Sequence, residues 1–354
     1  MSTVKTRLRL ATSLTQGREK FRYLRDERPH WLILGGMVFV ALLLMDPATW
    51  LTLTISGMAM GAMLFLMASG MTLTFGLMRV LNLAHGAFIS LGAFVGATVL
   101  TTWLSGYTGP SSLALNMMAV IPALLLALIV AGLVGWAFEL LVIKPVYGDH
   151  LKQILVTVGG SIVLIQLIEV VWGANEIPVP RPSGLRGAFI VPDAIPLIGG
   201  LVLEKYRLIA LTLGLAVYGG MVWTIERTRL GILIRAGVES REMVEIQGYR
   251  IGLLFLGVFI AGSALAGMGG AMWAMYREII TAHMGEELMI SVIVIIILGG
   301  LGSVRGCFYG ALLVGLVNLY VGYLEPRLAA VATVGLMVAV LMWRPQGLIP
   351  VIKV

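Results

Sequence analysis

Apolar runs of membrane-crossing length recur from Trp31 to Trp343, with few charges inside them. A bilayer core asks for about 20 apolar residues per helix, and within it every backbone polar group needs an internal partner. Hydrophobic residues are 59% of the chain and charged residues 12%, against roughly half and a quarter in a soluble domain. The fold class is therefore all-α, a polytopic membrane helix bundle. The runs fall at 31–46, 51–75, 84–103, 113–143, 154–172, 207–225, 251–275, 288–298, 307–323 and 328–343, giving about ten spans. The run 288–298 is too short to cross alone, so a partial span finished by irregular backbone is expected there.

Two breaks interrupt the pattern. The first is expected near Gly76, in Phe75-Gly-Leu-Met-Arg-Val-Leu-Asn-Leu-Ala-His-Gly-Ala-Phe88. Arg79, Asn82 and His85 bring polar side chains to membrane depth, where they normally face protein, water or a pathway. The second, near Gly299, reads Gly299-Gly-Leu-Gly-Ser-Val-Arg-Gly-Cys-Phe-Tyr-Gly-Ala311. Paired interrupted segments in the two halves of a chain point to a transport site. The candidate pathway residues are Asn82, His85 and Gly86 in the first break and Gly299, Gly300, Gly302 and Ser303 in the second. Asn82 and His85, three apart, either meet a solute or satisfy broken backbone. Gly302, Gly306 and Gly310, four apart, stack on one face if helical, and packing is the expected role of Gly306 and Gly310. Gly57/Gly61 and Gly92/Gly96 offer the same small faces for close helix contact.

Charge orients the chain. Residues 1–30 hold eight Lys or Arg and three acids, +5 of the total of +7. This basic tail is expected in the cytoplasm by the positive-inside rule. It directly abuts an apolar span, which argues against a nucleic-acid arm, and it is too charged for a signal peptide. Both termini are then inside. Residues 144–152 and 226–250 are cytoplasmic loops, and 173–206, with five prolines, is an ordered external loop. Arg181, Arg186 and Lys205 on the external side run against that orientation. Glu139 is expected to reach the interface, and Gln166 and Glu169 to share a helical face. The domains read as tail 1–30, an extra span 31–46, and the body 47–354.

Chemistry is sparse. The four His are scattered and Cys307 is alone, so no metal cluster or cofactor is expected. No Gly-x-x-x-x-Gly-Lys-Ser/Thr run occurs, so any ATP-driven movement needs an ATPase on another polypeptide. Loop 226–250 has internal structure: Ser240 is placed to cap a short helix, with Met243, Val244 and Ile246 as its apolar strip. Such a helix docks in a partner's groove, or else the loop rests on anionic membrane lipid through its arginines.

These stretches resemble a family. Gly76-Leu-Met-Arg-Val-Leu-Asn-Leu-Ala-His-Gly-Ala87 is similar to the signature of the membrane permease subunits of branched-chain amino acid ABC importers, the type carrying Asn-x-Ala-His-Gly. Arg229-Leu-Gly-Ile-Leu-Ile-Arg-Ala236 and Ile246-Gln-Gly248 resemble their ATPase-docking loop, implying contact roles for Arg229, Gly231, Arg235, Ala236, Glu245 and Gly248. Ala261–Gly270 and Leu298–Gly306 resemble two later stretches. The first fifty residues, Val244-Glu-Ile-Gln-Gly248 and Ala87 depart from the family pattern. The resemblance implies a permease, not an enzyme, in the bacterial inner membrane. It implies a second homologous permease subunit, two cytoplasmic ATP-binding subunits, and a periplasmic or lipid-anchored solute-binding protein. Family solutes include branched-chain and other amino acids, urea and short amides. A stand-alone channel or secondary transporter is the rival reading, and it needs an ion relay built from Glu139, Glu169 and Arg79.

Overall fold

The apolar runs form helices that share one glycine-lined core. The computed structural model describes residues 29–78, 82–147, 149–192, 200–239 and 241–349; the basic tail and Arg79 lie outside them. The main helices are α1 (Pro29–Leu44), α2 (Pro47–Met78), α3 (His85–Thr98), α4 (Leu113–Phe138), α5 (His150–Trp172), α6 (Lys205–Arg227), α7 (Arg229–Glu239), α8 (Arg241–Ile246), α9 (Ile251–Arg277), α10 (Met284–Gly299), α11 (Val304–Leu324) and α12 (Ala329–Trp343). Helices α3 and α4 each continue through a π-turn, Val99–Trp103 and Glu139–Ile143. Among the described residues, eight helices are long and apolar enough to cross a membrane. With the shorter α1 and α10, both 16 residues, ten apolar helices match the expected spans.

Helices α2, α3, α9 and α11 are the inner layer, and α4, α5, α6 and α12 cover it. The windows of α2, α3, α9 and α11 are more than half buried, whereas those of α6 and α12 are 11% buried. Small residues explain the close inner packing, since without a hydrophobic drive helices associate through close backbone approach. Gly57 and Gly61 of α2 lie against Gly315, Ala311 and Leu312 of α11. Gly92 and Gly96 of α3 lie against Gly267 and Ala271 of α9. Leu151, Leu155, Val170 and Val171 stand out on α5 at 66–80% exposure, as a lipid-facing helix requires.

Two starts are tucked inside. His85, the first residue of α3, reaches the carbonyl of Met67, eleven residues before the end of α2. At 1.5 Å per residue that places it about 16 Å back into the bundle. Gly86 and Gly285, the second residues of α3 and α10, meet there reciprocally, each facing the other's backbone. Gly70 of α2 and Gly262 of α9 meet in the same reciprocal way.

Loop 173–206 is ordered where it is described. β1 (Ile177–Pro178) pairs antiparallel with β4 (Ile279–Ile280), and β2 (Ala188–Ile190) with β3 (Val202–Glu204). Arg181 fastens this loop to the end of α9. Its guanidinium donates to the carbonyls of Met275 and Tyr276 at 3.1 and 3.3 Å, pairs with Glu204 and Glu278 at 3.4 Å, and covers the Tyr206 ring at 4.8 Å. Arg181 is thus a structural clamp, which accounts for one of the basic residues that ran against the orientation.

His283, just before α10, sits between Glu286 at 2.9 Å and Glu169 at 3.4 Å. The hydrogen bond to Glu286, with the nearby Glu169 charge, raises its pKa above the usual 6.5. The link therefore contributes fully below the ordinary histidine range and weakens as pH rises through the raised value. Thermal melts across pH 6–9 are expected to show this loss in the wild type, and His283→Gln to flatten it.

Candidate functional site

The two breaks converge. A Cβ placed on Gly76 would stand 2.6 Å from Gly302 Cα, and one on Gly302 would stand 2.7 Å from Gly76 Cα. Gly76 lies in the last turn of α2, which is described to Met78, so the first break falls near Gly76 as expected. Its glycine serves contact with the second break.

In the first break Asn82 Oδ1 accepts the Ala84 N–H at 3.1 Å, and the Asn82 carbonyl accepts the His85 N–H at 3.2 Å. His85 Nε2 meets the Met67 carbonyl at 2.8 Å. Both side chains are 1% exposed. Buried backbone groups at a helix start need partners, and here Asn82 supplies one and His85 pins the start to α2. Of the two readings, satisfied broken backbone is the one these contacts fit. Gly86 faces Gly285, whose N–H donates to Ser90 Oγ at 2.9 Å. Ala87 is fully buried.

In the second break α10 ends at Gly299, packed on Gly306 of α11. Gly300 has φ +102° and Gly302 φ +80°, the left-handed region that favours glycine. Ser303 caps α11 by accepting the Gly306 N–H at 3.0 Å. Because α11 begins at Val304, Gly302 does not stack with Gly306 and Gly310; it turns away to meet Gly76. Gly306 and Gly310 do pack, against Gly299 and the Ile295 carbonyl. The bend is covered by the chain end: Leu348 N–H donates to the Leu298 carbonyl at 2.9 Å and Ile349 N–H to Gly299 at 3.0 Å. Gly300→Leu meets both the positive φ and the Gln346 and Ile349 carbonyls, 3.1–3.2 Å from its Cβ. About 1–3 kcal/mol of backbone strain is expected, read as a lower melting temperature and loss of transport.

At the same end of the bundle, loop 226–250 is a helical hairpin of α7 and α8. Sequence reading found the second helix and missed the longer α7, whose single apolar face has Leu233 and Ile234 packed with Val244, Ile251 and Phe255. Of the expected apolar strip on α8, Val244 is buried but Ile246 is 79% exposed, because residues two apart on a helix point to nearly opposite sides; the expected cap Ser240 and the side chain of Met243 lie outside the described residues. Leu230 and Ile232 are exposed as well, at 53% and 61%. Gly231 approaches the Ile225 carbonyl too closely for any side chain. Arg229 and Glu245 are exposed, Ala236 is half-buried, and the side chain of Arg235 lies outside the described residues. Gly248, at φ +84°, turns the chain into α9.

Glu139 turns inward rather than outward. It is 2% exposed and accepts the Tyr147 hydroxyl at 2.5 Å, because α4 lengthens through its π-turn into the packed hairpin with α5. Glu169 stands at the far end of α5, accepting from Gln166 Nε2 at 2.6 Å. Opposite ends of one helical hairpin do not make a relay, which removes the main support for a self-sufficient ion-coupled transporter.

The comparisons agree with this architecture. The family described as "Branched-chain amino acid transport system / permease component" matches residues 53–341. The permease protein BraD of Pseudomonas aeruginosa, of a high-affinity branched-chain amino acid transport system, is 26% identical over 83% of this chain and 94% of its own length. The corresponding LivH of Escherichia coli K12 is 24% identical over 83% and 93%, and LivM of the same strain 30% identical over 80% and 67%. No solved structure matches. Helix α1 precedes the matched region. With the family match spanning most of the chain, and the glycine-lined bundle and convergent breaks beneath it, this protein is a multi-pass membrane permease of the branched-chain amino acid transport permease family.

Proposed function

We propose that the chain is one of two membrane subunits of an ATP-driven importer for branched-chain or related amino acids, seated in the bacterial inner membrane with both termini cytoplasmic. The observation that carries this reading is the α7–α8 hairpin. It shows solvent the apolar side chains Leu230, Ile232 and Ile246 at a point where the bundle has no use for them. Apolar residues on a charged loop fit a protein partner, and the sequence holds no ATP site of its own. The hairpin is joined directly to α6 and α9, so a push from ATP-binding subunits would reach the inner layer through α9. Arg305 of α11 pairs with Glu226 of α6 beside it at 2.5 Å, a second mechanical link to the second break. In this reading a homologous permease completes the pathway and a solute-binding protein delivers to the opposite face, where loop 173–206 lies. The candidate pathway residues then act as the pivot of alternating access, with Gly76 and Gly302 as its contact point.

The test is uptake of labelled leucine into proteoliposomes carrying this chain with the permease, ATPases and binding protein encoded beside it. Uptake that needs ATP inside and the binding protein outside is expected. Uptake by this chain alone, indifferent to ATP, would contradict the proposal.

A further inference from the structure

On the face opposite the α7–α8 hairpin, a cavity of about 440 Å³ opens between the end of α9, the β1–β4 ladder and the first turn of α10. Its size lies within the roughly 300–1,000 Å³ of small-molecule sites. Its lining is of two kinds. Trp273, Met284 and Leu288 form an apolar wall, each less than a tenth exposed. Arg277, the last residue of α9, meets two carboxylates in the same space, Glu287 in the first turn of α10 and Glu176 just before β1, all three on exposed side chains. None of the three is committed to an ion pair among the described residues. That contrasts with their neighbours: Arg181 is spent on Glu204, Glu278 and two carbonyls, and Glu286 on His283.

Arg277 also lines a second, adjoining basin of about 560 Å³ that holds Arg207. Arg207 pairs with Glu204 through Nη2 at 3.0 Å, while its Nε is buried without a hydrogen-bond partner. The Arg277 side of the vestibule therefore has spare donors for an anion. Met284, the first residue of α10, lines the cavity beside Gly285, which meets Gly86.

We infer that this vestibule is a recognition site for the zwitterion of an apolar α-amino acid, with Arg277 on the carboxylate, Glu287 on the ammonium, and the side chain against Trp273, Met284 and Leu288. Opposite fixed charges beside an apolar wall match a zwitterion with an aliphatic side chain. A neutral amide offers neither an anion for Arg277 nor a cation for the carboxylates, so it gains less from the same space. The inference rests on the amino-acid importer reading and adds to it a stage on the permease itself, between the binding protein and the inner crossing.

The experiment is saturation-transfer NMR of L-leucine with the assembled transporter in nanodiscs, without the binding protein. Wild-type transporter is expected to give a saturable leucine signal that leucine methyl ester and 4-methylpentanoate displace at least tenfold less well. Arg277→Gln and Glu287→Gln are each expected to weaken binding by tenfold or more, Arg277→Lys to recover part of it, and Glu286→Gln to leave it unchanged. An unaltered signal in both glutamine variants, or none in the wild type, overturns the vestibule assignment. Leucine uptake driven by ATP, measured after the same purified transporter is moved into proteoliposomes with the binding protein supplied outside, tells the two levels apart: if it persists, only the vestibule has failed; if it is absent, the importer reading has failed with it.

Discussion

Gly92→Val is expected to remove the folded permease from the membrane. A Cβ at this position falls inside the backbone of Gly267 on α9, meeting its Cα, carbonyl carbon and oxygen together. A neighbouring side chain could turn aside, but backbone has no rotamer to change, so α3 and α9 must separate. Those two helices carry the re-entrant start, the Gly86–Gly285 crossing and much of the buried core, and prising them apart opens all of it. Overpacking of a core costs about 1–3 kcal/mol and occasionally more, and an obstruction by rigid backbone belongs at the top of that range. Proteins hold only about 5–15 kcal/mol in total. The check is the yield and monodispersity of a fluorescent fusion on size exclusion. Gly219→Val is the control, since Gly219 meets nothing within 4 Å and is expected to leave the profile unchanged.

The second large effect is functional. The double variant Ile232→Glu, Ile246→Glu is expected to insert and fold normally but to lose ATP-driven uptake by about 100-fold. Both side chains are mostly exposed, at 61% and 79%, so charging them costs the isolated bundle little. At an interface the same change buries two carboxylates, and central apolar anchors commonly contribute about 1–2 kcal/mol or more each. Two such losses correspond to roughly two decades in affinity. Copurification of the ATP-binding subunits should fall with transport. Normal uptake in this variant would remove the docking role of the hairpin.

These two predictions mark what sequence could and could not reach. The apolar runs gave the helices and the number of spans because periodicity and length are local properties. The small-residue faces Gly57/Gly61 and Gly92/Gly96 were also readable, as was the pairing of Gln166 with Glu169. Their partners were not, because contacts such as Gly92–Gly267 and Gly76–Gly302 join segments far apart in the chain. The fate of Asn82 and His85 turned on where α3 starts in depth, and nothing local says that it begins beside Met67. Val244 and Ile246 were read together as one partner-facing strip; that the chain itself takes up Val244, against Ile251 and Phe255, depends on contacts that no local pattern shows. The vestibule was invisible for the same reason: Arg277 ends one helix, Glu287 starts another, and ordinary loop charges look the same in sequence.

We propose that this permease is the membrane part of a larger ATP-driven machine. The most direct measurement is purification of the chain from its native membrane in mild detergent, with the copurifying proteins identified by mass spectrometry. The account predicts a second permease, two ATP-binding subunits and a solute-binding protein in defined proportion. Recovery of this chain alone, with amino acid uptake in the same cells unaffected by ATP depletion, would contradict it.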